Sequence, residues 1–128
     1  MARENYHAHV ESSWKELTAR EKFILKDVSA ATPLDEEVSP DEGIIVTVTN
    51  YVRVAVHNEK SDSKDYVVNI IVDPEGNTYR TGYDSFANAM EDIRDYMSDE
   101  GLDDVDVRIY KKESPKHKGK YFITATLA

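Results

Sequence analysis

Tyr51, Tyr79 and Tyr110 fall in segments that alternate apolar with polar residues, and each has a cation close by in sequence: Arg53, Arg80, and Arg108 with Lys112. A tyrosine ring on a solvent-facing strand can stack on a nucleobase. Each such stack is worth roughly 1–3 kcal/mol and tolerates any base, because every base has a π-face. Lysine and arginine beside the rings would neutralise phosphates, with an affinity that falls as salt rises. Lys111, Lys112, Lys116, Lys118 and Lys120 crowd one loop and its flank, which concentrates positive charge at one place. Rings and cations in alternation are the chemistry of a binding face. Paired catalytic groups are not in view: no nucleophile elbow, phosphate loop or metal-protease motif is present. Asp73, Glu75 and Asp84 read as turn and cap residues rather than ligands of a divalent ion. The pair His7 and His9 has no further ligand nearby in sequence. No catalysis, cofactor or metal is expected.

Those side chains need a frame that points them one way. Along residues 44–57, Ile44, Val46, Val48, Val52, Val54 and Val56 alternate with Ile45, Thr47, Thr49, Tyr51, Arg53 and His57. Successive strand residues face opposite sides, so the first set predicts a core side and the second a working side. Fourteen residues is long for one strand, and Asn50 is the expected bend. Tyr66 to Asp73 predicts a second strand, the Asp73-Pro74-Glu75-Gly76-Asn77 run a tight turn, and Thr78 to Thr81 its return. Phe86, Met90, Ile93 and Met97 fall at helical spacing, with Asp84 or Ser85 as cap and Gly101 just past the end, which predicts a helix over 84–98. Strands at 105–112 and 121–127 follow, joined by the lysine-rich loop. Trp14 is expected to anchor a short helix near 12–20, ahead of a strand near 22–28. Residues 29–43 read as an acidic loop, and residues 1–10 as a loose leader.

The fold class expected is therefore mainly β with one or two helices: a five-stranded OB-like barrel in the order strand, strand, strand, helix, strand, strand. A length of 128 residues fits one domain spanning 1–128. There is no cysteine, which excludes disulfides and thiolate metal sites and fits a reducing compartment. No apolar run approaches membrane-spanning length, and no basic-then-apolar signal pattern opens the chain. We read it as soluble and cytosolic, with no membrane partner.

Net charge is −9, which as a bulk property opposes nucleic acid. The distribution is uneven. Residues 84–106 hold nine acids and one base, whereas 107–128 hold six bases and one acid. A local basic groove on an acidic body follows from that segregation.

From Gly43 onward the chain resembles the single-stranded DNA-binding proteins of protein-primed tailed phages. Asp41-Glu42-Gly43-Ile44-Ile45 is similar to that family's lead-in to its long strand. Val72-Asp73-Pro74-Glu75-Gly76-Asn77-Thr78-Tyr79 is similar to its acidic-glycine turn, with a tyrosine three residues past the glycine, and Lys118-Gly119-Lys120-Tyr121-Phe122 to its Lys-Gly turn. The resemblance implies an OB-type domain that coats displaced single strands during phage DNA replication in the host cytoplasm, without enzymatic activity, alongside replication proteins. It implies base stacking by Tyr79 and Tyr51; where the family has a third tyrosine, this chain has His57. The expected site is thus Tyr51, Arg53, His57, Tyr79, Arg80, Arg108, Tyr110, Lys112, Lys116, Lys118 and Lys120. A rival reading takes the acidic tracts 35–42 and 91–106 as a protein-interaction surface, such as a DNA-mimic inhibitor of a host enzyme. Tyrosines can also serve only as cross-strand packing, and a lysine loop only as a soluble edge guard.

Overall fold

The computed structural model describes residues 6–128. It is a mixed α/β fold, mostly strands, in two sheets. Strands β1 (Tyr6–Ser13), β4 (Asn50–Asn58), β5 (Asp65–Val72), β6 (Thr78–Thr81) and β2 (Thr32–Pro33) form the larger sheet, in the order β1-β4-β5-β6-β2. The smaller is β3 (Ile44–Val48), β7 (Val105–Glu113) and β8 (Tyr121–Leu127). Helices are α1 (Ala19–Leu25), α2 (Leu34–Glu37) and α3 (Asp84–Glu100), with a 3-10 turn at Val28–Ala30.

Residues 44–58 form one spar through both sheets, interrupted at Thr49. Its first half pairs with β7 and its second half with β5 on one side and β1 on the other, all antiparallel. The interruption is held by side chains. Thr49 donates from its amide (2.8 Å) and its hydroxyl (3.0 Å) to the carbonyl of Val72. The buried Asn50 accepts from the amides of Lys15 (3.0 Å) and Tyr51 (2.9 Å) through Oδ1. The bend expected at Asn50 thus falls at Thr49–Asn50, and it changes the phase of the alternation.

Two apolar clusters show the phase change. Val46 and Val48 lie in one cluster with Tyr51, Ile71, Val107, Ile109, Ile123 and the inner face of α3. Val52, Val54 and Val56 lie in the other, with Val68, Ile70, Leu17, Leu25 and Val28. Even-numbered residues face the first cluster before Thr49 and the second after it. The second cluster consequently covers one face of β4 along its length, and the first covers the other face at Tyr51. Phe86, Met90, Ile93 and Met97 are buried as their spacing predicts, each burial being worth roughly 1.5–3 kcal/mol. Gly101 closes α3 in the left-handed region at φ 67°, where a side chain would clash with its own backbone. The expected cap does not form: Tyr83 occupies the cap position without a side-chain bond, and Ser85 Oγ instead donates to the carbonyl of Ile123 at 2.6 Å.

Four further expectations fail. Residues 6–13 are a strand rather than part of a loose leader; residues 1–5 lie outside the described ones. The helix placed near 12–20 and the strand near 22–28 give way to α1 at 19–25 and the 3-10 turn. Thr18 accepts from the Glu21 amide (3.1 Å) and Glu21 from the Thr18 amide (2.9 Å), a reciprocal cap that fixes where α1 starts. The stretch 29–43 is not all loop, since it carries β2 and α2, and Leu34 and Val38 are buried in the first cluster. The barrel also does not close. Among the described residues β6 and β8 make no strand pairing, and α3 stands against the outer edge of β8.

Candidate functional site

The smaller sheet has one side on the core and one side open. Val105, Val107, Ile109, Ile123 and Ala125 point inward and are buried. Period-two alternation sends Asp106, Arg108, Tyr110 and Lys112 of β7 outward, with Phe122, Thr124 and Thr126 of β8 and Ile45 and Thr47 of β3. Register aligns them in rows: Ile45 with Arg108 and Thr126, Tyr110 with Thr124, and Lys112 with Phe122. The Arg108 guanidinium carbon lies 4.8 Å from the Tyr110 ring centroid, a cation–π pair at the surface. Ile45, large and apolar, is 66 % exposed beside them. Asp106, the acid at the far end of the face, accepts from the Thr47 hydroxyl at 2.5 Å. A Cβ on Gly43 would meet the Ile109 carbonyl oxygen at 2.7 Å, so only glycine lets the chain lie this close to Tyr110 and Arg108.

The β7–β8 hairpin extends this face beyond Lys112. The Ser114 amide donates to Lys120 O (2.8 Å), the Lys120 amide to His117 O (3.1 Å), and the Gly119 amide to Glu113 Oε2 (3.0 Å). Gly119 adopts φ 81°, the left-handed conformation that closes the turn. Glu113 is thereby tied inside the hairpin, and Lys116, Lys118 and Lys120 are left exposed. Lys111 points inward and donates to the carbonyl of Asp35 at 3.0 Å.

Arg108, Tyr110, Lys112, Lys116, Lys118 and Lys120 therefore gather on one face and its hairpin. The other expected site residues do not join them. Tyr51 is a core residue, 4 % exposed, with ring centroids of Trp14 at 5.5 Å and Phe86 at 6.3 Å. Its hydroxyl donates to Asn69 Oδ1 at 2.5 Å. Burial pushes that phenol up to about 12, against the smaller opposing pull of Arg53. Arg53 faces a cleft beside α3. Tyr79 pairs with Ile71 and is half-buried at the core margin; desolvation raises its pKa, and the carboxylates of Asp73, Glu37 and Glu75 add to the rise. Those acids oppose a phosphate there. Arg80 points to the other side of the same strand, where Nε donates to Ala31 O at 3.1 Å. The physical reason for the two tyrosines is shared: the first apolar cluster packs against Tyr51 and Tyr79, so alternation there sorts residues between two interiors rather than between core and water.

His57 sits at the end of β4, where Nδ1 lies 2.7 Å from Asp65 Oδ1 and Nε2 3.3 Å from Glu59 Oε1. The hydrogen bond to Asp65, then that to Glu59, raises its pKa above the usual imidazole value near 6.5. A raised folded-state pKa favours the fold fully below the unfolded value near 6.5, and that contribution disappears as pH climbs through the folded value. In an NMR titration the His57 ring is expected to show a midpoint above 6.5 that drops back in Asp65→Asn. A parent midpoint at or below 6.5 contradicts the ion pairing.

Phe122 and Ile45 complete the open face and are not among the residues expected from the sequence. The alternation that turns Ile123 and Ala125 inward already implies that Phe122 points out. Comparison with known protein families, curated proteins and solved structures finds no match for this chain. Among the described residues no helix is long and apolar enough to cross a membrane.

Proposed function

We propose that the open face of β3, β7 and β8, with its lysine hairpin, binds single-stranded DNA with little sequence preference. The observation that carries this reading is the Arg108–Tyr110 pair at 4.8 Å, on the open side of the sheet next to Lys112, Phe122 and exposed Ile45. Two rings offer stacking surfaces, and five cations (Arg108, Lys112, Lys116, Lys118, Lys120) line the same path. The spar shared between the sheets and the helix set before the last two strands support an opened OB-type plan. The resemblance of residues 72–79 and 118–122 to phage single-stranded DNA-binding proteins supports a role in phage-type DNA replication. Tyr51 and Tyr79 lie on covered strands, so the reading assigns the DNA to the other sheet.

Titration with oligo-dT tests this. Tyrosine fluorescence is expected to fall saturably at low salt. The logarithm of affinity then declines with the logarithm of salt at a slope of about −0.7 per neutralised phosphate, so about −3.5 with all five cations engaged. A flat signal at low salt overturns the reading.

A second reading is favoured by the exposed side of α3, where Asp92, Asp95, Asp99 and Glu100 stand in solvent with Asp103 and Asp104 just beyond. That surface suits a basic protein partner. Neutralising Lys116, Lys118 and Lys120 weakens oligo-dT binding under the first reading and leaves such a partner unaffected under the second.

A further inference from the structure

A cleft of about 380 Å³ opens between β1, β4 and α3, apart from the face just described. Trp14, Tyr51, Arg53, Glu91, Arg94 and Asp95 line it. Its size falls among pockets that hold one small organic molecule, roughly 300–1,000 Å³. Trp14 and Arg94 also wall a second cleft of about 340 Å³ that runs on toward Gly101 and Leu102, so the indole is approached from two sides. Arg53 Nε is out of contact with solvent and has no acceptor. An atom that no solvent molecule touches is also out of reach of a phosphate oxygen, so contact with an occupant falls to the rest of the guanidinium. Neither Arg53 nor Arg94 forms an ion pair among the described residues, although Glu91 and Asp95 line the same cleft.

That set of groups selects its occupant. A simple anion is repelled by Glu91 and Asp95, and a simple cation by Arg53 and Arg94. A molecule with an anionic end, a flat middle and N–H donors at the other end satisfies all of them. We propose that the cleft binds a nucleoside monophosphate whose base carries an exocyclic amine. The base lies against Trp14, its amine donates to Glu91 or Asp95, and its phosphate accepts from Arg53 and Arg94. Carboxylates accept from the cytosine amine in this way, and guanidinium groups match phosphate oxygens in pairs. The proposal does not rest on the open β-face, since no residue is common to the two.

Trp14 is the sole tryptophan, so its emission reports the cleft directly. CMP is expected to quench it saturably. UMP, the same shape with a carbonyl in place of the amine, binds about tenfold more weakly, and inorganic phosphate leaves the emission unchanged. Arg94→Gln, on the exposed side of a helix, keeps the parent melting temperature and weakens CMP about tenfold. Glu91→Gln with Asp95→Asn erases the preference for CMP over UMP. The proposal is overturned by the absence of saturable quenching with CMP, by equal affinity for CMP and UMP, or by parent-like CMP binding in Arg94→Gln. Oligo-dT has no exocyclic amine, so its binding to the open face is read separately and either site can fail alone.

Discussion

Alanine at both Tyr110 and Phe122 is expected to weaken oligo-dT binding by about 30-fold or more. Each ring removed forfeits roughly 1–3 kcal/mol of stacking, and 2 kcal/mol in total already corresponds to about 30-fold. The salt slope should hardly move, because the cations of the face remain. Neutralising Lys116, Lys118 and Lys120 should do the reverse, flattening the slope by about 0.7 for each phosphate that goes without a cation. Both rings are half-buried, so a thermal melt of the double variant must accompany the measurement. Fluorescence anisotropy at two salt concentrations separates stacking from charge. An affinity within about threefold of the parent would move the DNA off this face.

Tyr51→Ala is expected to cost about 3–5 kcal/mol of stability, the usual penalty for truncating a large buried aromatic. Against a total of roughly 5–15 kcal/mol this unfolds a large share of molecules under mild denaturant. Tyr51→Phe is the sharper probe. It keeps the ring between Trp14 and Phe86 but leaves Asn69 Oδ1 without its donor, at a cost of about 1–3 kcal/mol. The remaining Asn69 bonds, from Nδ2 to the carbonyls of Thr81 (3.0 Å) and Tyr83 (3.3 Å), still tie β5 to the start of α3. Tyr51→Leu, which removes the ring, should leave oligo-dT affinity unchanged under conditions where the variant is folded, whereas a stacking Tyr51 would lose it. Alkaline pH gives an independent check. With the folded phenol raised to about 12 and the unfolded one near 10, Tyr51 contributes fully below pH 10, and its contribution drains away as pH rises toward 12. Urea midpoints measured across that window should fall less steeply for Tyr51→Phe than for the parent.

The elements legible in the chain are those whose signal is local. Phe86, Met90, Ile93 and Met97 specify α3 by spacing alone, and Asp73, Gly76 and Asn77 specify a turn through bonds within five residues: Asp73 Oδ1 accepts from the amides of Glu75 (3.0 Å) and Asn77 (2.8 Å). Strands 105–113 and 121–127 are legible because one of their faces meets water, so alternation carries information about exposure. The spar misleads because alternation says which residues share a side, and says nothing about what covers that side. Tyr51 and Arg53 alternate with valines as residues of an open face would, yet Trp14 and, from α3, Phe86 pack on the Tyr51 ring and Arg53 faces the cleft beside α3. The amino-terminal third misleads for a related reason. Val10, Trp14, Leu17, Ile24 and Val28 approximate a helical period, but they are spread over a strand, a loop, a helix and a 3-10 turn, each meeting a different neighbour. Only long-range pairing, such as Val10 opposite Val54, reveals their places.

The unclosed seam between β6 and β8 leaves α3 as the shutter over an unpaired β8 edge, latched at its first turn by the Ser85 hydroxyl on Ile123 O. A helix that swung away would bare a row of free amides and carbonyls, the surface on which a strand from another molecule can add. Self-association of this fold is thus expected to rise as that shutter loosens.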